Sequence, residues 1–200
     1  LWIEPSWLSR SATEVAPDLI GCTLIRQTSE GEILRGVIVE TEAYTPDDPA
    51  MHAYRRKTTR NQVMFERSGI AYVYRIYGIY HCLNVVTDLA GIPSAVLIRA
   101  LALETIPSWI DDPKELAKPH RIAAGPGKLC RSLQIDTTLN GTPLAPGQPM
   151  WLEHRTSEFQ AHLNQQHVTL RQTTRIGLTQ GQDLPWRWYL SPCAAVSKKG

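Results

Sequence analysis

One twelve-residue run, Ile33-Leu-Arg-Gly-Val-Ile-Val-Glu-Thr-Glu-Ala-Tyr44, constrains the fold of this chain more than any other segment. Its β-branched residues favour a strand. Alternation along that strand puts Ile38, Glu40, Glu42 and Tyr44 on one face and Val37, Val39, Thr41 and Ala43 on the other. The expectation is a dry face and a chemical one. Either glutamate alone reads as a surface carboxylate. Flanked by Val37, Ile38, Val39 and Ala43, however, a carboxylate is costly to bury without a partner. Arg99, inside the apolar run Val96-Leu-Ile-Arg-Ala-Leu101, is the natural partner for Glu42, with Glu40 as its rival.

The rest of the chain reads as strands around this one. Ser11-Ala-Thr-Glu14 predicts a capping box that opens a short helix, with Pro17 inside it and Gly21 closing it. Cys22 to Arg26 and Ile33 to Tyr44 flank the turn Ser29-Glu-Gly31 as a hairpin. Residues 45 to 61 lack periodicity and read as a functional loop, followed by a short helix near Asn61 to Phe65. Ile70 to Tyr77 and Ile79 to Thr87 predict strands bent at Gly78, and Ala95 to Leu101 a third. Pro107 to Pro119 reads as irregular, Lys128 to Leu133 as a helix, and Asn140-Gly141 as a turn. Met150 to Leu152, Val168 to Thr173 and Trp186 to Leu190 complete the strands. There is no βαβ rhythm. The expected fold is a single α+β domain over residues 1–200, a curved, mainly antiparallel β-sheet flanked by helices.

Two hundred residues with 42% hydrophobic and 20% charged content suit one sizeable core. No apolar run reaches the length of a membrane span, and no basic segment leads into an apolar stretch at the N-terminus, so the expected location is the cytoplasm. The four cysteines, Cys22, Cys82, Cys130 and Cys193, have neither disulfide-framework nor zinc-module spacing, and His162 and His167 miss helical ligand spacing, so no metal and no cofactor are expected. Gly125-Pro-Gly-Lys128 lacks a phosphate loop's pattern, because Ile122 and Leu129 stand where Gly and Ser or Thr are required. The absence of a coiled-coil pattern points to a monomer.

A net charge of +2 does not argue for nucleic acid by itself, but its distribution does. Arg55, Arg56, Lys57, Arg60, Arg67 and Arg75 are countered locally only by Glu66. Four of the seven tyrosines, Tyr72, Tyr74, Tyr77 and Tyr80, follow at once. The bland alternatives are a solvated basic loop and half-buried strand tyrosines. Rings interleaved with cations are what gripping a polyanion and stacking an unstacked base require. His52 is a stacking or hydrogen-bonding ring, or an exposed loop histidine.

At these residues the chain resembles a known family. Arg35-Gly-Val-Ile-Val-Glu-Thr-Glu-Ala-Tyr44, Thr59-Arg-Asn61, Met64-Phe65, Tyr72-Val-Tyr-Arg-Ile-Tyr-Gly-Ile-Tyr80 with Asn84, Leu97-Ile-Arg-Ala100 and Gly125-Pro-Gly-Lys-Leu-Cys130 resemble the 3-methyladenine (alkyladenine) DNA glycosylases. The similarity runs from about Leu19 to the C-terminus, dense from Arg35 to Ala100 and thinner from Pro143 to Gln182. The resemblance implies a monofunctional base-excision repair enzyme. Such an enzyme flips alkylated or deaminated purines (the 3-methyladenine, hypoxanthine and ethenoadenine class) out of duplex DNA from the minor groove. It then hydrolyses the N-glycosidic bond, leaving an abasic site. Glu42 then matches the base that activates water and Arg99 the side chain that helps hold that water. Tyr44, His52 and Tyr74 match the rings that sandwich the base, and Asn84 the residue that disfavours guanine. Tyr77 matches the wedge that fills the vacated stack, with Arg60, Met64, Tyr80 and Lys128 as further DNA contacts. A main-chain carbonyl, suggested to be that of Val196, also holds the water. The loop from Tyr44 to His52 is a residue shorter than in mammalian relatives. The competing readings are a lyase using Lys57 or Lys128, and a non-catalytic damaged-DNA-binding module.

Overall fold

The computed structural model describes residues 1–54 and 56–200, so Arg55 of the basic set lies outside the described residues. The helices are α1 (Pro5–Leu8), α2 (Ala12–Leu19), α3 (Pro113–Leu116), α4 (Pro126–Ser132) and α5 (Ser157–Asn164). The strands are β1 (Thr23–Gln27), β2 (Ile33–Tyr44), β3 (Ala71–Ile76), β4 (Tyr80–Val86), β5 (Ala95–Leu103), β6 (Met150–Glu153), β7 (Thr169–Thr173) and β8 (Arg187–Ser191). Among the described residues the strands form one curled antiparallel sheet in the order β3-β4-β5-β2-β1-β6, with β8 on β2 and β7 on β8. The fold is α+β.

β2 is the branch point of the sheet. One edge pairs with β5 from Gly36 to Tyr44, while the other pairs with β1 as far as Val37 and then with β8 from Glu40 to Glu42. Two register shifts flank Glu40. The ladder passes from Ile38 opposite Leu101 to Glu40 opposite Ala100 and Thr41 opposite Ile98, which leaves Val39 and Arg99 without ladder partners. Such bulges re-aim side chains and sharpen local twist.

The chemical face of β2 is buried as deeply as the dry one. Every residue from Ile38 to Ala43 is buried. On the side of Thr41, whose hydroxyl donates to the Ala16 carbonyl at 2.9 Å, α2 supplies the cover. On the carboxylate side the cover is β8, the segment around Ile176 and the backbone at Ser197. Full burial is tolerated because each carboxylate finds donors there.

α2 buries Ala12, Val15, Ala16 and Leu19, one face of a helix, and the Ser11 side chain accepts from the Thr13 amide at 3.4 Å. Gly21 then turns the chain with φ +88°, and a Cβ there would lie 2.0 Å from Cε1 of Phe159. Phe159 belongs to α5, a helix the sequence reading missed. Thr156 caps it by accepting from the Phe159 amide at 3.1 Å. α4 starts two residues earlier than expected, with Pro126 in the first turn, where a missing N–H is harmless. The Pro107–Pro119 stretch is mostly irregular but contains α3.

Gly21→Ala is expected to destabilise the fold by about 2–5 kcal/mol, from the positive φ and the overpacking against Phe159 together. Urea denaturation measures the loss, and adding Phe159→Ala should relieve the clash but not the backbone strain.

Candidate active site and nucleic-acid interface

Glu40 and Glu42 have no solvent exposure, and two arginines answer them. Arg99 bridges both, with Nε 3.2 Å from Glu40 Oε1 and a terminal nitrogen 3.2 Å from Glu42 Oε1. Arg187 of β8 donates to Glu40 Oε1 at 2.9 Å, and the Ser197 amide donates to Glu40 Oε2 at 2.7 Å. The two carboxylates raise the pKa of Arg99 above its usual value against the opposing effect of burial. The expected Glu42–Arg99 contact is therefore present, and the rival Glu40 holds the same arginine from behind.

Glu42 takes two further donors. The Ile176 amide donates to Oε1 and the Tyr44 hydroxyl to Oε2, both at 2.8 Å. An ionised carboxylate accepts about four hydrogen bonds, so these two donors, with Arg99 as an ion pair, leave acceptor capacity free. Burial, and then the Glu42 charge, push the Tyr44 phenol well above its ordinary pKa, so it remains a donor.

Beside this pair lies a cleft of about 70 Å³ lined by Tyr44, Met51, His52, Tyr72, Tyr74 and Asn84, among others. Hairpin pairing builds it, with Tyr72 opposite Asn84 and Tyr74 opposite Cys82 across β3 and β4. The Asn84 amide donates to the Tyr72 carbonyl at 3.2 Å. His52 meets the Tyr74 ring edge-on at 4.3 Å between centroids, and its Nδ1 is 3.2 Å from the Tyr72 hydroxyl. A base stacked between two rings needs them roughly twice a stacking distance apart, about 7 Å or more. The gap between His52 and Tyr74 is therefore too narrow to hold a stacked base as it stands. Burial pushes the Tyr72 phenol up to about 12. Burial and the nearby Arg60 charge lower the His52 pKa.

The remaining expected residues divide between surface and interior. Tyr77 is 85% exposed at the tip of the β3–β4 hairpin, where Tyr77 and Gly78 both adopt positive φ and the Ile79 amide bonds the Ile76 carbonyl at 3.2 Å. Tyr80 is exposed nearby, and Gly127 comes so close that a Cβ there would lie 3.0 Å from the Tyr80 ring. That contact seats α4, and with it the exposed Lys128, against the hairpin. Arg60 is exposed and donates to the Arg75 carbonyl at 3.3 Å. Met64 requires correction as a surface contact. It is 3% exposed and packs with Met51, Ile70 and Tyr72, because the 3-10 turn Gln62–Phe65 points it inward. The Val196 carbonyl accepts from Arg121 at 2.6 Å.

Sequence reading missed Arg187, Asp48, Arg175 and the two main-chain donors. Arg187 carried a signal, since it stands between two tryptophans in a predicted strand, as Arg99 does among aliphatics. Asp48 and Arg175 form a fully buried ion pair between two irregular segments, and nothing local marks either.

An exposed tyrosine hairpin, an aromatic cleft and a buried carboxylate beside it suit a base-processing enzyme, and the comparisons narrow that class. The family model for methylpurine-DNA glycosylase matches residues 6–194. A relative from Trichodesmium erythraeum (strain IMS101) is 60% identical over 98% of this chain and 97% of its own length. One from Synechococcus sp. (strain JA-3-3Ab) is 55% identical over 96% of each chain, and one from Methanoculleus marisnigri is 42% identical over 98% of this chain and 99% of its own. All three carry the provisional name 3-methyladenine DNA glycosylase. The chain belongs to the methylpurine-DNA glycosylase family, DNA repair hydrolases that cut N-glycosyl bonds. Among the described residues no helix is long and apolar enough to cross a membrane.

Because the folded state disfavours the charged form of His52, stability should be unaffected above the ordinary histidine value of about 6.5 and decline as pH falls below it. There the unfolded chain takes up a proton that the folded one resists. His52→Gln should flatten this decline when urea midpoints are compared at near-neutral and mildly acidic pH.

Proposed function

We propose that the protein is a monofunctional glycosylase of alkylated or deaminated purines, acting by Glu42-activated water on a base flipped out of duplex DNA. The observation that carries this reading is the Glu42 carboxylate, fully buried next to a tyrosine of the aromatic cleft, ion-paired with Arg99 and hydrogen-bonded by Tyr44 and the Ile176 amide, with acceptor capacity left for a water. Flipping requires a few kcal/mol of unstacking and unpairing, least for a lesion that already pairs poorly. Tyr77 enters from the minor groove and offsets part of that loss by filling the gap. Arg60, Tyr80 and Lys128 contact the phosphate backbone, while Met64 closes the cleft from within.

In the cleft, Tyr44, His52 and Tyr74 stack on the purine once His52 has moved, and aromatic faces favour an electron-poor or cationic alkylated base. Asn84 disfavours guanine through its exocyclic amino group. As the base departs, positive charge grows on the sugar. The Glu42 carboxylate stabilises it and takes the proton of the attacking water, which Arg99 helps to hold. The whole of residues 1–200 acts as one domain and as a monomer, on DNA in the cytoplasm and nucleoid.

With duplex DNA carrying one hypoxanthine or ethenoadenine, wild type is expected to produce strand breaks only after alkali, and Glu42→Gln to release base at least about 100-fold more slowly. Activity retained by Glu42→Gln sinks the mechanism. Borohydride trapping of a covalent adduct would replace it with lyase chemistry at a lysine, and tight lesion binding without base release would leave a binding module. Binding should also weaken steeply with salt, and neutralising Lys128 should reduce the slope by about one.

A further inference from the structure

We propose that Arg175 is a positioning residue for this reaction: by joining Asp48 and the Ala43 carbonyl in one buried unit, it holds the Ile176 amide and the Tyr44 hydroxyl against Glu42. The proposal rests on the glycosylase reading and deepens it.

The Arg175 and Asp48 side chains are both wholly buried. One terminal nitrogen of Arg175 donates to Asp48 Oδ2 and, at 3.0 Å, to the carbonyl of Ala43, the residue between Glu42 and Tyr44. The other donates to Asp48 Oδ1 at 2.9 Å and to the Gly181 carbonyl at 3.2 Å. The guanidinium also lies over the Tyr44 ring at 4.7 Å and near Trp186 at 5.3 Å. Its Nε is buried without a hydrogen-bond partner. Ion pairs buried this deeply add little net stability over apolar packing, and a missing donor bond makes the case for stability weaker still.

What the pair does contribute is geometry. Its contacts fall on the end of β2, on the 45–54 loop and on the turn at Gly181, three segments with no ladder between them. Ile176, whose amide bonds Glu42 Oε1, is the next residue along the chain. Tyr44, whose hydroxyl bonds Glu42 Oε2, is the ring beneath the guanidinium. One side chain thus sets both hydrogen-bond donors on the carboxylate. Asp48 also accepts from the Ala50 amide at 3.0 Å, which ties the loop bearing His52 to the same point.

Arg175→Lys and Asp48→Asn separate positioning from stability. In single-turnover assays on duplexes with one hypoxanthine or one methylated adenine, each is expected to release base about 10- to 100-fold more slowly. Each should still bind a duplex with a tetrahydrofuran abasic analogue within about threefold of wild type. At saturating enzyme the release step should slow while the half-saturating enzyme concentration stays near that of wild type. A pair that served stability alone would lower the melting temperature and leave the saturating rate of the folded variant unchanged.

Should both variants fail to fold, Gly181→Ala decides, since its Cβ would lie 2.9 Å from an Arg175 terminal nitrogen and 3.1 Å from Asp48 Oδ1. It is expected to slow release a few-fold at saturating enzyme, again with binding retained. Wild-type saturating rates in the folded variants overturn the positioning role. Absence of base release by wild type on both duplexes overturns the glycosylase reading instead.

Discussion

Two carboxylates with no exposure on a single strand are the constraint on which the rest of this structure depends. Glu40 and Glu42 lie two residues apart on β2, and burying either one unpaired would be prohibitive. Their burial requires Arg99 from β5 and Arg187 from β8, together with amides at Ser197 and Ile176. Two adjacent strands, a loop and the C-terminal segment must therefore converge on β2. The paired bulges at Val39 and Arg99 are the local expression of that requirement. A regular ladder would place Arg99 in cross-strand register, whereas the shift frees it to bridge both acids.

The network has a division of labour. Glu40 is enclosed by two arginines and a backbone amide, so its role is to orient Arg99 from behind. Glu42 accepts a hydrogen bond from Tyr44, which lines the aromatic cleft. The buried acid and the cleft thus meet within one dipeptide step, from Glu42 to Tyr44 on the same face. The C-terminal segment is drawn in by the same logic, as Arg121 gathers the carbonyls of Ala194, Val196 and Ser197 and presents the Ser197 amide to Glu40.

Burial at the acids contrasts with exposure at the β3–β4 hairpin. Tyr77 protrudes on a two-residue turn, and the exposed Arg60 bonds the Arg75 carbonyl on the same hairpin. His52 sits between these regimes, its inner edge on Tyr74 and its charge suppressed by burial and by Arg60. A neutral ring is easier to move through an aromatic cleft than an imidazolium, since less hydration has to be stripped from it. On the proposed function, the closed contact between His52 and Tyr74 makes base entry a step in which the protein rearranges as well as the DNA.

Much of this was legible in the residues themselves. Period-two patterning marked β2, β3, β4 and β5, the turn residues marked their ends, and a Glu and an Arg embedded in apolar strands pointed to one another before any coordinates. Local chemistry suffices there because strand alternation and the penalty for an unpaired buried charge act within a few residues. Tertiary structure alone decided the rest. The register shifts beside Glu40 could not be read, because bulges depend on the neighbouring strand's register, which no single strand encodes. Met64 turned inward because a 3-10 turn set its direction. Asp48 and Arg175 were invisible, since a buried ion pair 127 residues apart leaves no periodic trace in either irregular segment. Sequence determined which groups had to be satisfied, and the folded chain decided which partners satisfied them, because pairing a buried charge is a condition on space and not on chain position.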